Sequence, residues 1–191
     1  MKITNEQKEK IINFATKQLD NEVAAGIDHF KRDYHLAQVL AKKESLKFNE
    51  KILFAATFLH DVSEDEPHWT GAAKLAGKFL KKIDFSYVEI KEVQHAILEH
   101  TPNGKPKSVE AKLLHDADLL DFLGATGIVR LSIGAWDWMG KSSLQEFLEV
   151  FKKFRKIASE GLVLKASKDL AKDKIKFMDL AIKQLEKELK I

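Results

Sequence analysis

The residues of this chain with the means to bind a cation or move a proton are seven histidines, at positions 29, 35, 60, 68, 95, 100 and 115, and the aspartates near them. None of the histidines falls in the C-terminal third, and several lie close to a carboxylate. The sharpest pair is His60-Asp61. In ATFLHDVSEDE, Ala56 to Glu66, the chain leaves the apolar residues Phe54, Ala55, Phe58 and Leu59 and enters a knot of acids through this doublet. An imidazole and a carboxylate placed where burial should continue need a partner, because an unpartnered buried charge costs several kcal/mol or neutralises itself. Both suit a hard or borderline divalent cation, and the chain has no cysteine to offer a thiolate instead. Asp118, within LLHDADLLD, stands mid-helix in an apolar setting, where aspartate is a poor helix former and wants a cation. His29 at the mouth of a helix, His68 after the acidic turn and His100 at a helix end complete the set. Singly, each has an ordinary structural explanation: His68, after Pro67, reads as a loop residue. Together, separate helices and their ends each deliver a residue of ligand type, which is the pattern of a metal site. His35, six residues beyond His29, points away from it on a helix. His95 and His115 read as outer partners of the ligands or as surface residues.

Helices must position these groups, because apolar residues recur at intervals of three and four and only three prolines and nine glycines interrupt them. The spacing predicts helices over Asn5 to Leu19, His29 to Lys47, Glu50 to His60, Trp69 to Lys82, Ser86 to Glu99, Val109 to Phe122, Leu144 to Ile157 and Ser167 to Leu189. Gly26 breaks the chain before the second of these. TPNGKPKS, Thr101 to Ser108, is the clearest loop, with two prolines and an Asn-Gly pair. The small residues of GATGIVRLSIGAW permit close helix approach or a tight helix start at Gly124, and Trp136 and Trp138 read as buried core. No strand pattern, internal repeat or low-complexity linker is evident. The expectation is one all-α domain over residues 1–191, with a motif-bearing core at about 26–130 and C-terminal helices at 142–190 packing on it.

Composition closes off several function classes. At 191 residues the chain can bury a core without disulfides or a structural metal, so a metal here is functional rather than a staple. Without cysteine there is no disulfide framework, thiolate zinc site or thiol nucleophile. No stretch approaches the roughly 18 to 20 apolar residues of a membrane span, and MKITNEQKEKIINFATKQLD lacks an apolar signal core. A cytoplasmic protein with no membrane partner is expected. The net charge of +3 is concentrated in FKKFRK, Phe151 to Lys156, and in KDKIKFMDLAIKQLEKELK. There the lysines interleave with acids and apolar residues at helical spacing, so these are solvated faces. Nucleic acid would call for clustered arginine and aromatic platforms, and is not an expected partner. Lys105 and Lys107, in the Pro-rich loop, read as solvated.

His29, His60, Asp61 and Asp118 resemble the pattern of the HD superfamily of metal-dependent phosphohydrolases: a His, a His-Asp doublet and a distant Asp on different helices of an all-α bundle. DHFKRDYHLA resembles that family's opening HxxRVxxLA segment, with Asp33 in place of the usual apolar residue. LLHDADLLDFLGATGIVR is similar to the DADRLDAxGAxGxxR segment of a bacterial subgroup, with Leu119 where Arg is frequent. The resemblance covers roughly residues 26 to 130. His68 in EPHWTGAAKLAGKFL and His100 in AILEHTPNG look like the third and fourth histidines of members that bind two metals. With them the resemblance implies a dinuclear centre with Asp61 bridging; without them, a mononuclear one. The GYP tripeptide and its companion Lys are missing, which disfavours cyclic-dinucleotide hydrolysis. HDVSED fits the HDxxED pattern of alarmone hydrolases, whose ADRLHN segment this chain lacks.

The resemblance implies a metal-dependent phosphohydrolase that cleaves a nucleotide or other small phosphoester with the help of one or two divalent ions: Mn, Fe, Co, Ni, Mg or Zn. Glu64 or Asp65 would act as general base or hold the attacking water. Arg32, about one turn beyond His29, and Arg130 would grip substrate phosphate by fork geometry, or serve as structural salt bridges. Two other classes stand beside this reading. A non-catalytic HD-like signalling or binding module should show neither metal nor turnover, and an HD-fold di-iron oxygenase should consume oxygen.

Overall fold

Strong capping signals set the helix starts. Thr4 with Gln7, Ser86 with Glu89, and Ser143 with Glu146 form reciprocal capping boxes, while Asn49 and Ser108 each accept a backbone N–H from the first turn that follows. The computed structural model describes residues 2–19, 22–63, 65 and 67–190. Its helices are α1 (Asn5–Gln18), α2 (Ile27–Lys43), α3 (Glu50–Leu59), α4 (His68–Leu80), α5 (Tyr87–Leu98), α6 (Val109–Asp121), α7 (Gly124–Asp137), α8 (Leu144–Gly161) and α9 (Lys165–Glu188), with a 3-10 turn at Lys81–Ile83. Among the described residues there is no strand. The fold is all-α, as the periodicity predicts.

α3 is the axis of the first half. Every residue from Lys51 to Leu59 is buried, which its almost unbroken apolar run requires. α1, α2, α5 and α6 pack around it, and α4 packs on α5. One apolar cluster, including Phe30, Phe58, Leu59, Ala72, Ile97 and Leu114, fills that half. A second, built from Leu40, Leu53, Leu120, Leu131, Phe151 and Met178 among others, joins α2 and α6 to α7, α8 and α9. α2, α3 and α6 contribute to both clusters, so they form the rigid wall on which the candidate site is mounted.

Several boundaries differ from the sequence expectation. α2 stops at Lys43 because Ser45 takes a left-handed φ of 54° and the Leu46 N–H returns to the Ala41 carbonyl. α4 starts at His68 itself, so this residue is helical and not part of a loop. α7 does begin tightly at Gly124, whose φ of 75° favours glycine. The expectation for the two tryptophans is overturned: Trp136 is 62% exposed and Trp138 44%. A Cβ placed on Gly134 would meet the Trp138 ring at 2.5 Å, so this ring folds back over the small residue of its own helix instead of entering the core.

Candidate metal centre

Five helices deliver the cluster, and their ends do much of the orienting. His60 follows the last residue of α3 and donates from Nδ1 to the Thr57 carbonyl at 2.8 Å; His100, just past α5, donates from Nδ1 to the Ile97 carbonyl at 2.6 Å. Such last-turn carbonyls have no intrahelical partner, and a carbonyl can only accept. Each ring therefore carries its proton on Nδ1 and turns Nε2 inward. His29, in the first turn of α2, is fixed the same way by a carboxylate, since its Nδ1 lies 2.9 Å from Asp121 Oδ2. A histidine locked by an outer acceptor, with its other nitrogen turned inward, is the usual arrangement of a metal ligand.

The inward atoms converge. His29 Nε2 stands 3.3 Å from His60 Nε2, 3.2 Å from Asp33 Oδ2 and 3.5 Å from Asp118 Oδ1. On the neighbouring side Asp61 reaches three histidines: Oδ2 is 3.4 Å from His60 Nε2, and Oδ1 is 3.3 Å from His68 Nε2 and 3.4 Å from His100 Nε2. Two groups thus meet at His60: a buried one of His29, Asp33, His60 and Asp118, and one of His60, Asp61 and His100 with His68 at its edge. Both oxygens of Asp33, together with Asp61 Oδ1 and Asp118 Oδ1, lack a hydrogen-bond donor despite being buried. Buried carboxylate oxygens without a donor are a costly arrangement that a divalent cation would relieve, so the donor set fits a metal.

The surrounding charges follow the same logic. Burial, with the Arg130 guanidinium beside it, pushes His29 down to about 4, so its ring is neutral near pH 7. Burial, then the carboxylates of Asp118 and Asp121, hold the Asp33 carboxyl well above its usual range. Burial opposes ionisation of Asp61 as well, yet the imidazoles of His60, His100 and His68 overcome it and hold that group well below the usual range. Burial would lower His100, and Asp61 more than compensates, so without a cation a proton is drawn to the same place. Asp121 is burdened by burial too, but His29, Arg32 and Arg130 keep it ionised.

The arginines expected at substrate phosphate are found on this carboxylate. Arg32 grips Asp121 with Nε and Nη2 at 3.0 and 2.9 Å, and keeps 39% of its side chain exposed. Arg130 is buried; it donates to the Ala24 carbonyl at 2.7 Å, lies 3.2 Å from Asp121, and places Nη2 3.2 Å from His29 Nε2. Phe30 lies beneath, its ring centroid 4.9 Å from that of His60. Asp65 is exposed on the turn after the doublet, its N–H bonded to the Ser63 hydroxyl, and Glu64 lies outside the described residues. A Cβ on Gly71 would fall 2.1 Å from that hydroxyl, so glycine lets α4 press against the turn.

His29, His60, Asp61, His68, His100 and Asp118 are thus brought together from α2, the ends of α3 and α5, the start of α4, and α6. Sequence reading missed two participants. Asp33 is one turn from His29 (i, i+4) and Asp121 one turn from Asp118 (i, i+3), and this spacing was the available signal. His115 is neither at the surface nor beside the cluster. It is buried and bonds Asp116, whose carboxylate accepts the Val163 and Leu164 N–H groups at the entry to α9.

A family model described as HD domain matches residues 26–123. A protein from Lactobacillus plantarum has a similar crystal structure, with a TM-score of 0.82 at 21% identity, covering 99% of both chains. Bacillus subtilis YpgQ, solved in complex with ADP, gives 0.73 at 22% identity, over 95% of this chain and 97% of that one. An HD-superfamily hydrolase from Bacillus thuringiensis gives 0.71 at 28% identity over 97% of each. A protein from Clostridium beijerinckii is 27% identical over 103 residues, 51% of this chain and 64% of that protein, so the alignment spans just under two thirds of its length. Among the described residues no single helix is long and apolar enough to cross a membrane.

Proposed function

Because the chain belongs to the HD domain family, we propose that it is a metal-dependent phosphohydrolase acting on a nucleotide or another small phosphoester. The observation that carries this reading is the convergence of imidazole Nε2 atoms and carboxylate oxygens from five helices or their ends, four of those oxygens being buried without a hydrogen-bond donor. His29, His60 and Asp118 would hold one divalent ion, and Asp61, His68 and His100 a second. Such ions lower the pKa of a water towards about 7 and polarise a phosphoryl oxygen. Asp61 lies 3.4 Å from His60 and from His100, so its carboxylate would hold the second ion next to the first.

The remaining side chains have distinct parts in this reading. Asp121 fixes the His29 tautomer, and Arg32 and Arg130 keep it ionised. Arg32, being partly exposed, is the arginine able to meet a substrate oxygen as well. Asp65, exposed on the turn after the doublet, would be the acid that accepts a proton through one water. Charge also favours an anionic substrate. Asp33, Asp61, Asp118 and Asp121 against Arg32 and Arg130 leave a local charge near −2 when all are ionised, so two divalent ions would make the pocket cationic. The bound ADP of YpgQ is compatible with a nucleotide as ligand. Metal-stripped protein supplied in turn with Mn, Co, Ni, Mg, Fe and Zn, and offered a panel of nucleotides and aryl phosphates, should release phosphate with at least one ion. Asp61→Ala should abolish the release. Oxygen uptake without phosphate release, or neither, would sink the proposal.

A further inference from the structure

Asp33 is the least expected residue of the cluster. Its side chain is fully buried, neither oxygen has a hydrogen-bond donor, and it projects from α2 on the same face as His29. A carboxylate held this way weakens the metal-free fold, because burial of an unsatisfied polar group costs about 1–3 kcal/mol and more when it is charged. The position would be better filled by an apolar side chain unless the carboxylate has a partner.

The geometry points to Asp33 as a fourth donor of the buried group, closing it with protein ligands and leaving the group around Asp61 as the one with a position open to substrate. This deepens the functional proposal and rests on its metal centre. The donor spacings support it: 3.2 Å from Asp33 to His29, 3.9 Å from Asp33 to His60, 3.3 Å between the two histidines and 3.5 Å from His29 to Asp118. A tetrahedral ion with bonds of about 2.0–2.2 Å has donor separations of roughly 3.3–3.6 Å, and three of these four spacings fall within about 0.1 Å of that range, Asp33 to His60 at 3.9 Å being the longer one. Burial separates the two groups in the same sense. His29, Asp33, His60 and Asp118 are all buried, whereas the Asp61 and His68 side chains are 17% and 37% exposed. Four protein donors in a dry place describe a closed site, and fewer donors with solvent access describe an open one. A cation there would take the His29 Nε2 lone pair from Arg130, which keeps its bonds to Ala24 and Asp121.

The test uses Co(II), because a four-coordinate cobalt ion absorbs visible light far more strongly than a six-coordinate one. Wild-type protein, Asp33→Asn and Asp33→Val are stripped of metal, titrated with Co(II) by calorimetry and absorption, and melted with and without the ion. In wild type one tight equivalent should give the intense four-coordinate band. In both variants that equivalent should weaken by roughly tenfold or more, the scale on which even an outer partner of a ligand acts. The metal-free variants should melt at the same temperature as wild type or higher, and gain less from Co(II). Wild-type affinity and band in either variant, or a metal-free variant that melts lower or does not fold, would overturn the assignment of Asp33 alone. If wild type binds no Co(II), the metal centre itself fails and this inference with it.

Discussion

If the His29 ring is neutral because it is buried against Arg130 with Nδ1 committed to Asp121, metal-free protein must lose stability in acid through this one residue. The folded ring titrates at about 4 and the unfolded one at 6.5. Between those values the unfolded chain takes up a proton that the folded protein refuses. The contribution is therefore complete above 6.5 and drains as pH falls towards 4. At about pH 4.5 the two constants correspond to a loss of about 2–3 kcal/mol relative to about pH 7.5, with no discount for screening because the ring is buried. Asp33 and His100, whose folded values are raised, slope the opposite way, so the total curve is not the measurement to take. The comparison is with His29→Gln, in urea with a chelator present. Wild type should lose about 2–3 kcal/mol more than the variant between the two pH values, a shift of about 1 M in the difference of their midpoints. A difference independent of pH would mean that the folded protein accepts the proton on His29, and the inward lone pair would not exist.

Other outcomes follow from the same contacts. In metal-free protein Asp61 draws a proton onto His100 and raises it above the ordinary 6.5, so a divalent ion must displace that proton. Stabilisation by Mn or Co should grow as pH rises from about 6 to 8, read as the shift in melting temperature; a constant shift would contradict the arrangement. Asp121→Asn should weaken metal binding by about 10–100-fold in a calorimetric titration, because it frees the His29 tautomer while removing no ligand. Phe30→Ala should cost about 3–5 kcal/mol in denaturant unfolding, since the ring is fully buried and lies under His60.

How far the sequence could be read depended on whether a feature was local. The helix of FAATFLH and the loop of TPNGKPKS are declared by apolar periodicity and by Pro and Gly, and the structure reproduces them to within a residue or two. His60 and His100 were legible because a histidine just past an apolar helix is unusual there. Asp33 stands out in the sequence only as a departure from an apolar pattern; its place in the cluster needs α6 and the end of α3 beside it, which are remote in the chain. Asp121 carries no signal of its own in the sequence, and only the arrival of His29, Arg32 and Arg130 shows why it is buried. The tryptophans fail for the complementary reason. Their apolar character is plain, but whether another layer covers the end of α7 is a property of the whole fold.

The most direct test of the metal centre is the anomalous scattering of crystals grown from metal-stripped protein and soaked in Co(II). Two peaks are predicted, one about 2.0–2.2 Å from His29 Nε2, His60 Nε2 and an Asp118 oxygen, the other beside Asp61, His68 and His100. An anomalous map with no peak within reach of His29, His60 and Asp118, at cobalt concentrations that load other surface histidines, would contradict the account.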